Sequence, residues 1–317
     1  MAICRTFALL ATTCTFAFGG VALAAGITVH DARNRDVTID NPSRIVSIGG
    51  AITEILYALG LEDRLAGVDA TSLYPTTALR DKPNVGYMRQ LSAEGVLGLT
   101  PSLVLAVQGS GPKEAMDVLE AAKVPLVLVP ESFSEQGLLD KIKLVGHAMG
   151  AVARADCLTA AVADDLAQLR ALRASVTKPV RVMFVMSLLN GRAMAAGRNT
   201  AAHEIIALAG GVNAIDGYEG YKIINDEAIV AARPDVVLSI QRGKDTLEAE
   251  AVYAHPGFAL TSVAENRRFI SMEGLYLLGF GPRTAAAARD LSVELYPSLA
   301  PRAAAFTPVA LTANCRQ

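Results

Sequence analysis

The chain has 317 residues, of which 52% are hydrophobic and 19% are charged, so it can bury a large core and is not disordered. At roughly 100–200 residues per domain, this length corresponds to about two domains. The 29 Lys and Arg residues nearly balance the 31 Asp and Glu residues, for a net charge of −2. This balance argues against a nucleic-acid-binding protein, and the absence of Trp excludes a ligand site built on stacked Trp rings.

The N-terminal segment, residues 1–25, has the order of a secretory signal peptide. Arg5 precedes an apolar stretch, and small residues follow it in the A-x-A pattern Ala22-Leu23-Ala24. A membrane anchor is the alternative, but Thr and Gly residues dilute this stretch relative to the ~20 strongly apolar residues of a spanning helix. We therefore predict cleavage near Ala24 or Ala25 and an exported protein.

The cysteines bear on the compartment as well. Cys14 follows Thr13 rather than Gly or Ala, which argues against a lipoprotein, and both Cys4 and Cys14 leave with the signal peptide. Cys157 and Cys315 remain, and two cysteines in an exported protein can pair. The alternative is a buried thiol at Cys157 and a thiol in a frayed tail at Cys315. We predict the disulfide, which would tie the C-terminal tail to the middle of the chain.

From about residue 27, short β-branched runs alternate with helical patterns. Predicted strands are Ile45–Ile48, Leu65–Val68, Leu103–Ala106, Leu126–Val129, Val180–Val185, Val236–Ile240 and Phe269–Met272. Predicted helices among them include Ala51–Leu59 and Pro112–Ala122. This alternation predicts an α/β fold with mainly parallel sheets covered by helices on both faces.

The two halves of the chain resemble each other and are separated by a helical region. Thr53–Gly60 matches His203–Gly210, and Pro101–Gln108 matches Pro234–Gln241, in the same order. Between the halves, leucines and valines at spacings of three to four predict one long helix over residues 152–174. At ~1.5 Å per residue this helix would be rigid and over about 30 Å long.

These patterns predict three folded parts after the signal peptide. Residues 26–150 form an N-terminal α/β lobe, residues 151–175 a bridging helix, and residues 176–317 a C-terminal α/β lobe and tail. A crevice between two lobes is a natural ligand site. The common hydrolase, P-loop and zinc-protease motifs are absent from the sequence. An exported α/β enzyme that uses the crevice nevertheless remains an alternative.

Tyr87 and Arg89 follow a turn-rich segment, Pro83-Asn84-Val85. A tyrosine phenol has a pKa of about 10, and both a nearby cation and Fe(III) favour its phenolate form. Tyrosine is a known ligand of haem iron. In an extended segment residues 87 and 89 point to the same side, so that Arg89 would reach the phenolate oxygen. Taken alone, these residues are better explained by an ordinary loop tyrosine and a surface arginine.

Four segments change that interpretation: Arg44–Gly60, Gly67–Pro75, Val85–Val96 and Leu277–Thr284. Together they resemble the periplasmic haem-binding proteins of bacterial haemin ABC importers, over nearly the whole mature chain. The first segment is shared with the wider class that binds ferric siderophores and cobalamin, whereas the Tyr-x-Arg and Gly-Phe-Gly-Pro-Arg segments point to haem. The resemblance implies two Rossmann-like lobes bridged by one long helix, in agreement with the patterns above.

The resemblance implies roles for matching residues in the N-terminal lobe. Tyr87 would be the axial ligand of ferric haem b, and Arg89 would stabilise its phenolate. Some family members add a His from the C-terminal lobe as a sixth iron ligand. This chain has Asn190 in that region, so a five-coordinate iron is expected. Whether one haem or a stacked pair is bound stays open.

Further site residues come from the second lobe and from two acidic positions. Tyr221, Tyr276 and Phe280 would contact the porphyrin, although ordinary packing is an equal alternative for them. Glu54 and Glu204 are the matched acids of the internal repeat, and each lies near a helix start, where the helix dipole favours a negative charge. The resemblance implies that each docks from the tip of its lobe onto Arg residues of the membrane permease.

The predicted function is therefore a periplasmic protein that binds haem and delivers it to an ABC importer, without chemistry on the ligand. Its partners would be the permease with its ATPase and, upstream, an outer-membrane haem receptor, and the protein is expected to be a monomer. The alternatives are a ferric-siderophore or cobalamin carrier, or the exported enzyme.

Overall fold

The computed structural model describes residues 26–241, 243 and 246–316. The predicted signal peptide, residues 1–25, lies outside this range. The fold is mixed α/β, with two lobes that are each built on their own sheet and a single long helix between them. In the described part of the chain, none of the helices combines the length and the apolar character needed to span a bilayer.

The N-terminal lobe is built on a four-stranded parallel sheet whose spatial order is β4-β3-β5-β6, and an antiparallel β1–β2 hairpin precedes it. The strands are β1 (Ile27–His30), β2 (Asp36–Ile39), β3 (Ile45–Ile48), β4 (Leu65–Val68), β5 (Leu103–Val107) and β6 (Leu126–Val129). The helices are α1 (Gly50–Ala58), α2 (Thr77–Asp81), α3 (Ala93–Leu97), α4 (Lys113–Ala121) and α5 (Glu135–Ala148). Strands β3, β5 and β6 are buried along their whole length, as expected for a parallel sheet covered on both faces.

The C-terminal lobe has a mixed sheet in the order β10-β8-β7-β11-β12, with β9 paired to β7. Its strands are β7 (Arg181–Leu189), β8 (Arg192–Ala196), β9 (Val212–Asn213), β10 (Tyr221–Ile223), β11 (Val236–Gln241) and β12 (Phe269–Glu273). Strands β8 and β10 run antiparallel to their neighbours. Strand β8 returns from β7 through Asn190 and Gly191, both at positive φ, as in a two-residue hairpin turn. Asn190, where a sixth iron ligand was considered, therefore lies at a hairpin tip.

Helices surround this second sheet and continue into the C-terminal tail. They are α7 (Ala201–Leu208), α8 (Asp226–Ala232), α9 (Ala249–Tyr253), α10 (Pro256–Ala259), α11 (Ser262–Glu265), α12 (Gly274–Leu278), α13 (Thr284–Leu295), α14 (Ala300–Ala303) and α15 (Val309–Thr312). The predicted strands of both halves are confirmed, with β7 extended by four residues beyond the predicted end because it continues into the hairpin.

The bridging helix α6 (Val152–Arg173) matches its prediction within one residue. Leu158, Val162, Leu166 and Leu169 are buried on one side of it, as their spacing predicted. Gly150, with φ of +65°, separates α6 from α5. The two lobes are therefore connected by a helix that is itself packed into the core, not by a flexible linker.

Helices α5 and α6 approach closely at Gly146, where a Cβ atom would lie 2.1 Å from the Cβ of Ala155. We expect Gly146→Ala to lower the free energy of unfolding by about 1–3 kcal/mol, because the helices would have to move apart. Urea unfolding measures this change. Gly217→Ala is the matched control, since its Cβ would meet no heavy atom of the described residues within 4 Å. Equal stability of the two variants would contradict the close approach.

The predicted disulfide between Cys157 and Cys315 is confirmed, and it ties the tail to α6. Asp165 of α6 strengthens the same attachment, because its carboxylate accepts hydrogen bonds from the backbone N–H groups of Val309 and Ala310 at 2.6 and 3.0 Å. Arg316 then donates to the carbonyl of Tyr57 in the N-terminal lobe at 3.1 Å. The tail thus leaves the C-terminal lobe, follows the bridging helix and contacts the other lobe through Arg316.

Candidate functional site

The loops after β3 and β4 face the C-terminal lobe. A Cβ at Gly50, which begins α1, would lie 2.7 Å from the side chain of Leu275 in α12. In open parallel sheets ligands bind beyond the carboxyl ends of the strands. Glu54, Tyr276 and Phe280 lie around this contact between the lobes.

Tyr87 is presented by a short, well-anchored loop. Gly86 has φ of +96°, a conformation that glycine adopts without steric cost. Its N–H donates to the side chain of Asn84, and its carbonyl accepts from Ala70 just beyond β4, both at 2.8 Å. These bonds hold Tyr87 beside the carboxyl end of β4, where 41% of the residue is exposed.

The chain turns immediately after Tyr87. The N–H of Gln90 donates to the Tyr87 carbonyl at 2.8 Å, and the Met88 carbonyl accepts from Gly111 at 2.9 Å. The expectation of an extended segment from Tyr87 to Arg89 is therefore wrong, because this turn and its anchor on the β5–α4 loop bend the backbone. Within the described residues the two side chains are not hydrogen-bonded to each other, and support of the Tyr87 phenolate by Arg89 stays a prediction.

Tyr221 lies on β10 in the C-terminal lobe. Although 38% of the residue is exposed, protein surrounds its hydroxyl, and this burial raises the pKa of Tyr221 to about 12. The positive charge of Arg89 opposes that rise, as does the backbone N–H of Ala202. The ring packs edge-on against Phe184 at 6.2 Å between centroids. Arg89 of one lobe and Tyr221 of the other thus lie close enough for an electrostatic interaction.

Tyr276 and Phe280 are less open to a ligand. Tyr276 is half-buried and donates a hydrogen bond to Asp290 at 2.8 Å, and burial together with this bond raises the pKa of Tyr276. Phe280 is only 1% exposed and packs edge-on against Phe133, with ring centroids 5.3 Å apart. The ring of Phe280 thus packs between the lobes, as in the packing alternative, and its contact with a porphyrin stays a prediction.

Glu54 also differs from its expected position. It is only 4% exposed, and its carboxylate accepts hydrogen bonds from the backbone N–H and the guanidinium of Arg283, at 3.1 and 3.0 Å. Burial raises the pKa of Glu54, and Arg283 opposes this. The expectation of an exposed Glu54 at the lobe tip is wrong for this structure, since the start of α13 covers it. Glu204 is half-buried in the first turn of α7, which Thr200 caps.

Two residues of this region were not identified as site residues from the sequence. Arg283 ends the Gly-Phe-Gly-Pro-Arg segment, but it was not assigned a role, and Tyr74 was noted only as part of a family segment. The guanidinium of Arg283 lies 3.6 Å from the centroid of the Tyr74 ring and 5.1 Å from that of Tyr276. Only the Leu277–Thr284 motif could have drawn attention to Arg283, because its partner Glu54 is 229 positions away.

The fold, with two lobes joined by one long helix, defines a class of protein. Residues 45–274 match the model of the periplasmic binding protein family, and the chain belongs to that family. It is a substrate-binding protein of the kind that serves ABC transporters, and not an enzyme. An uncharacterized ABC transporter substrate-binding lipoprotein of Bacillus subtilis, YvrC, is 29% identical over 86% of both chains.

Two similar solved structures are those of haem-binding proteins. The periplasmic haem-binding protein RhuT from Roseiflexus sp. RS-1 is 38% identical, with a TM-score of 0.77, over 81% of this chain and 99% of that one. The periplasmic haem-binding protein BhuT, solved with two haems, is 37% identical, with a TM-score of 0.76. The match covers 81% of this chain and 98% of BhuT. The resemblance inferred from the sequence is thereby confirmed. A cobalamin-binding protein of Halobacterium salinarum is 29% identical over 67% of this chain and 58% of its own length.

Proposed function

We propose that this protein binds ferric haem b in the cleft between its lobes and delivers it to an ABC importer. The observation that carries the proposal is Tyr87, which is anchored beside β4 and exposed, two residues from Arg89. Arg89 in turn lies close enough to Tyr221 of the other lobe to interact with it electrostatically. The similarity to haem-binding structures over most of the chain supports it.

The chemistry of the cleft suits this ligand. None of the described residues hydrogen-bonds to the Tyr87 hydroxyl, which leaves its oxygen available to Fe(III). Arg89 supplies positive charge nearby. Leu73 and Tyr74 after β4 and Ile223 on β10 are exposed and apolar. Ile223 lies two residues from Tyr221 on one strand, so both point to the same face. Apolar walls with a few polar groups are typical of sites for large cofactors.

Delivery requires a permease with its ATPase, and haem would reach the periplasm through an outer-membrane receptor. Glu204 is partly exposed at the start of α7 and is one docking residue in this proposal. Glu54 is the other, but it must first be uncovered. Surface charges of this kind raise the association rate and fix the orientation of the two partners more than they raise their affinity.

Cobalamin is the second candidate ligand, because a cobalamin-binding relative matches two thirds of this chain. Its recognition would not require a Tyr oxygen on iron. An experiment can therefore distinguish haem from cobalamin as the ligand by testing whether binding depends on ferric iron.

Titration of the purified apoprotein with haemin tests the proposal. We expect a saturable change of the Soret band at one haem per chain, or two for a stacked pair, and weaker binding of iron-free protoporphyrin IX because it lacks the iron–Tyr87 bond. Cyanocobalamin and a ferric siderophore serve as competitors and should not displace haemin. Saturable binding of cyanocobalamin without any saturable haemin spectrum would overturn haem in favour of the cobalamin alternative.

A further inference from the structure

An ion pair joins the two lobes at their contact. Glu54 belongs to α1, and Arg283 immediately precedes α13. Their side chains are 5% and 13% exposed, and the guanidinium Nη2 lies 3.0 Å from a carboxylate oxygen. The backbone N–H of Arg283 donates to the other oxygen. A Cβ at Gly281 would lie 3.3 Å from the Glu54 carboxyl carbon, so glycine there allows this close approach.

Aromatic rings cover the guanidinium from both lobes. Tyr74 follows β4 in the N-terminal lobe and Tyr276 lies in α12, and each places its ring within cation–π distance of Arg283. The Nε atom of Arg283 is nevertheless buried without a hydrogen-bond partner among the described residues. Burying a donor without a hydrogen-bond partner costs free energy. The closed contact therefore does not satisfy all the hydrogen bonds of the Arg283 guanidinium.

The chain segment that carries Arg283, residues 274–283, contacts the N-terminal lobe along its length. Leu275 packs at Gly50, and the carbonyl of Phe280 accepts a hydrogen bond from the fully buried Lys141 at 3.3 Å. Phe280 has φ of +48°, an unusual conformation for a bulky residue. Such backbone strain persists only where the surroundings enforce it. An incompletely satisfied ion pair and a strained backbone occur in one short contact, as expected for a contact that can open.

We propose that Glu54 and Arg283 form a latch between the lobes, closed in this structure, and that its release lets residues 274–283 separate from α1 and widens the cleft. Removing one partner of a buried ion pair leaves the other charge uncompensated. That charge regains water when the lobes separate, so loss of either partner favours the open arrangement.

One consequence rests on the proposed function, whereas the latch itself does not. Glu54 is inaccessible while Arg283 covers it, so a cationic group of a permease could bind Glu54 only after displacing Arg283. A partner that binds only the open arrangement shifts the equilibrium towards it. Docking would thus be coupled to widening of the cleft and to release of the ligand.

Distances between spin labels on the two lobes test the latch in the apoprotein. Labels are attached at Val118→Cys and Leu260→Cys, two exposed positions, one in each lobe. The protein without residues 1–25 is used, so that the disulfide-bonded Cys157 and Cys315 are the only cysteines beside the two labels. We expect Arg283→Gln to raise the population of longer distances on the order of tenfold or more, and Glu54→Gln to act in the same direction. In the double variant, the population of longer distances should rise by less than the sum of the two single-variant effects, because neither charge is then left unpaired.

The control is a similar ion pair in an exposed setting. Arg316 of the tail contacts Glu62 of the N-terminal lobe at 2.5 Å, with side chains 51% and 30% exposed. Glu62→Gln and Arg316→Gln should leave the distances unchanged, since exposed pairs contribute little. If Arg283→Gln does not fold, Arg283→Lys keeps the charge but loses the planar fork, and a partial shift is expected. Identical distance distributions in wild type and folded latch variants would overturn the latch, independently of whether haem binds.

Discussion

Tyr87→Phe is expected to abolish the coordinated haemin spectrum and to weaken haemin binding by at least roughly 100-fold. Changes around a metal ligand commonly cost 10–100-fold in affinity, and this substitution removes the proposed ligand itself. Phenylalanine keeps the ring and its apolar contact, so the loss reports on the phenolate oxygen. Soret titrations of apoprotein at matched concentrations measure the change, and circular dichroism checks that the variant is folded.

Two further Tyr→Phe variants make this result specific. Tyr57→Phe removes a hydroxyl from a tyrosine of the same lobe near the far end of α1 from Gly50, and it should bind haemin with nearly wild-type affinity. Tyr221→Phe tests the tyrosine on the opposite wall, whose raised pKa makes its phenolate harder to form. If Tyr87→Phe keeps the wild-type spectrum and Tyr221→Phe loses it, the axial ligand is Tyr221 and the role of Tyr87 is refuted.

The second large effect is expected from removing the disulfide. The double variant Cys157→Ala/Cys315→Ala should lose about 2–5 kcal/mol of unfolding free energy, since the bond closes a long loop in the unfolded chain. The two cysteines are 158 positions apart in the sequence. Guanidinium unfolding of the oxidised protein and of the variant measures this difference.

A reductant supplies the control for this prediction. It should lower the stability of the wild type to nearly that of the double variant and should leave the variant unchanged. Mass spectrometry after thiol alkylation reports whether the bond is present before unfolding. Equal stability of wild type and variant under oxidising conditions would show that the bond contributes no stability in solution.

The disulfide and the latch act on the same pair of lobes through different connections. The disulfide fixes the tail to α6, and Arg316 extends that attachment to the N-terminal lobe through exposed bonds. Arg283 instead makes a buried contact at the cleft itself. We therefore expect the disulfide to govern global stability and the latch to govern lobe separation.

Much of the architecture followed from local patterns. Apolar runs predicted β3, β4 and β6 to the residue, and leucine spacing predicted α6 within one residue, because strand and helix periodicities are properties of neighbouring residues. The internal repeat also corresponds to equivalent elements, since its matched segments fall on α1 and α7 and on β5 and β11. The pairing of Cys157 with Cys315 was predicted from the count of remaining cysteines.

The sequence by itself thus determined the α/β class, the two lobes on one helix, and Tyr87 as the first residue to test. Only the tertiary structure decided the surroundings of the site: the turn after Tyr87, the burial of Phe280, and the covering of Glu54 by Arg283. Burial and ion pairing depend on which distant segments the fold brings together. A carboxylate near a helix start looks the same in sequence whether it faces solvent or an arginine 229 positions away.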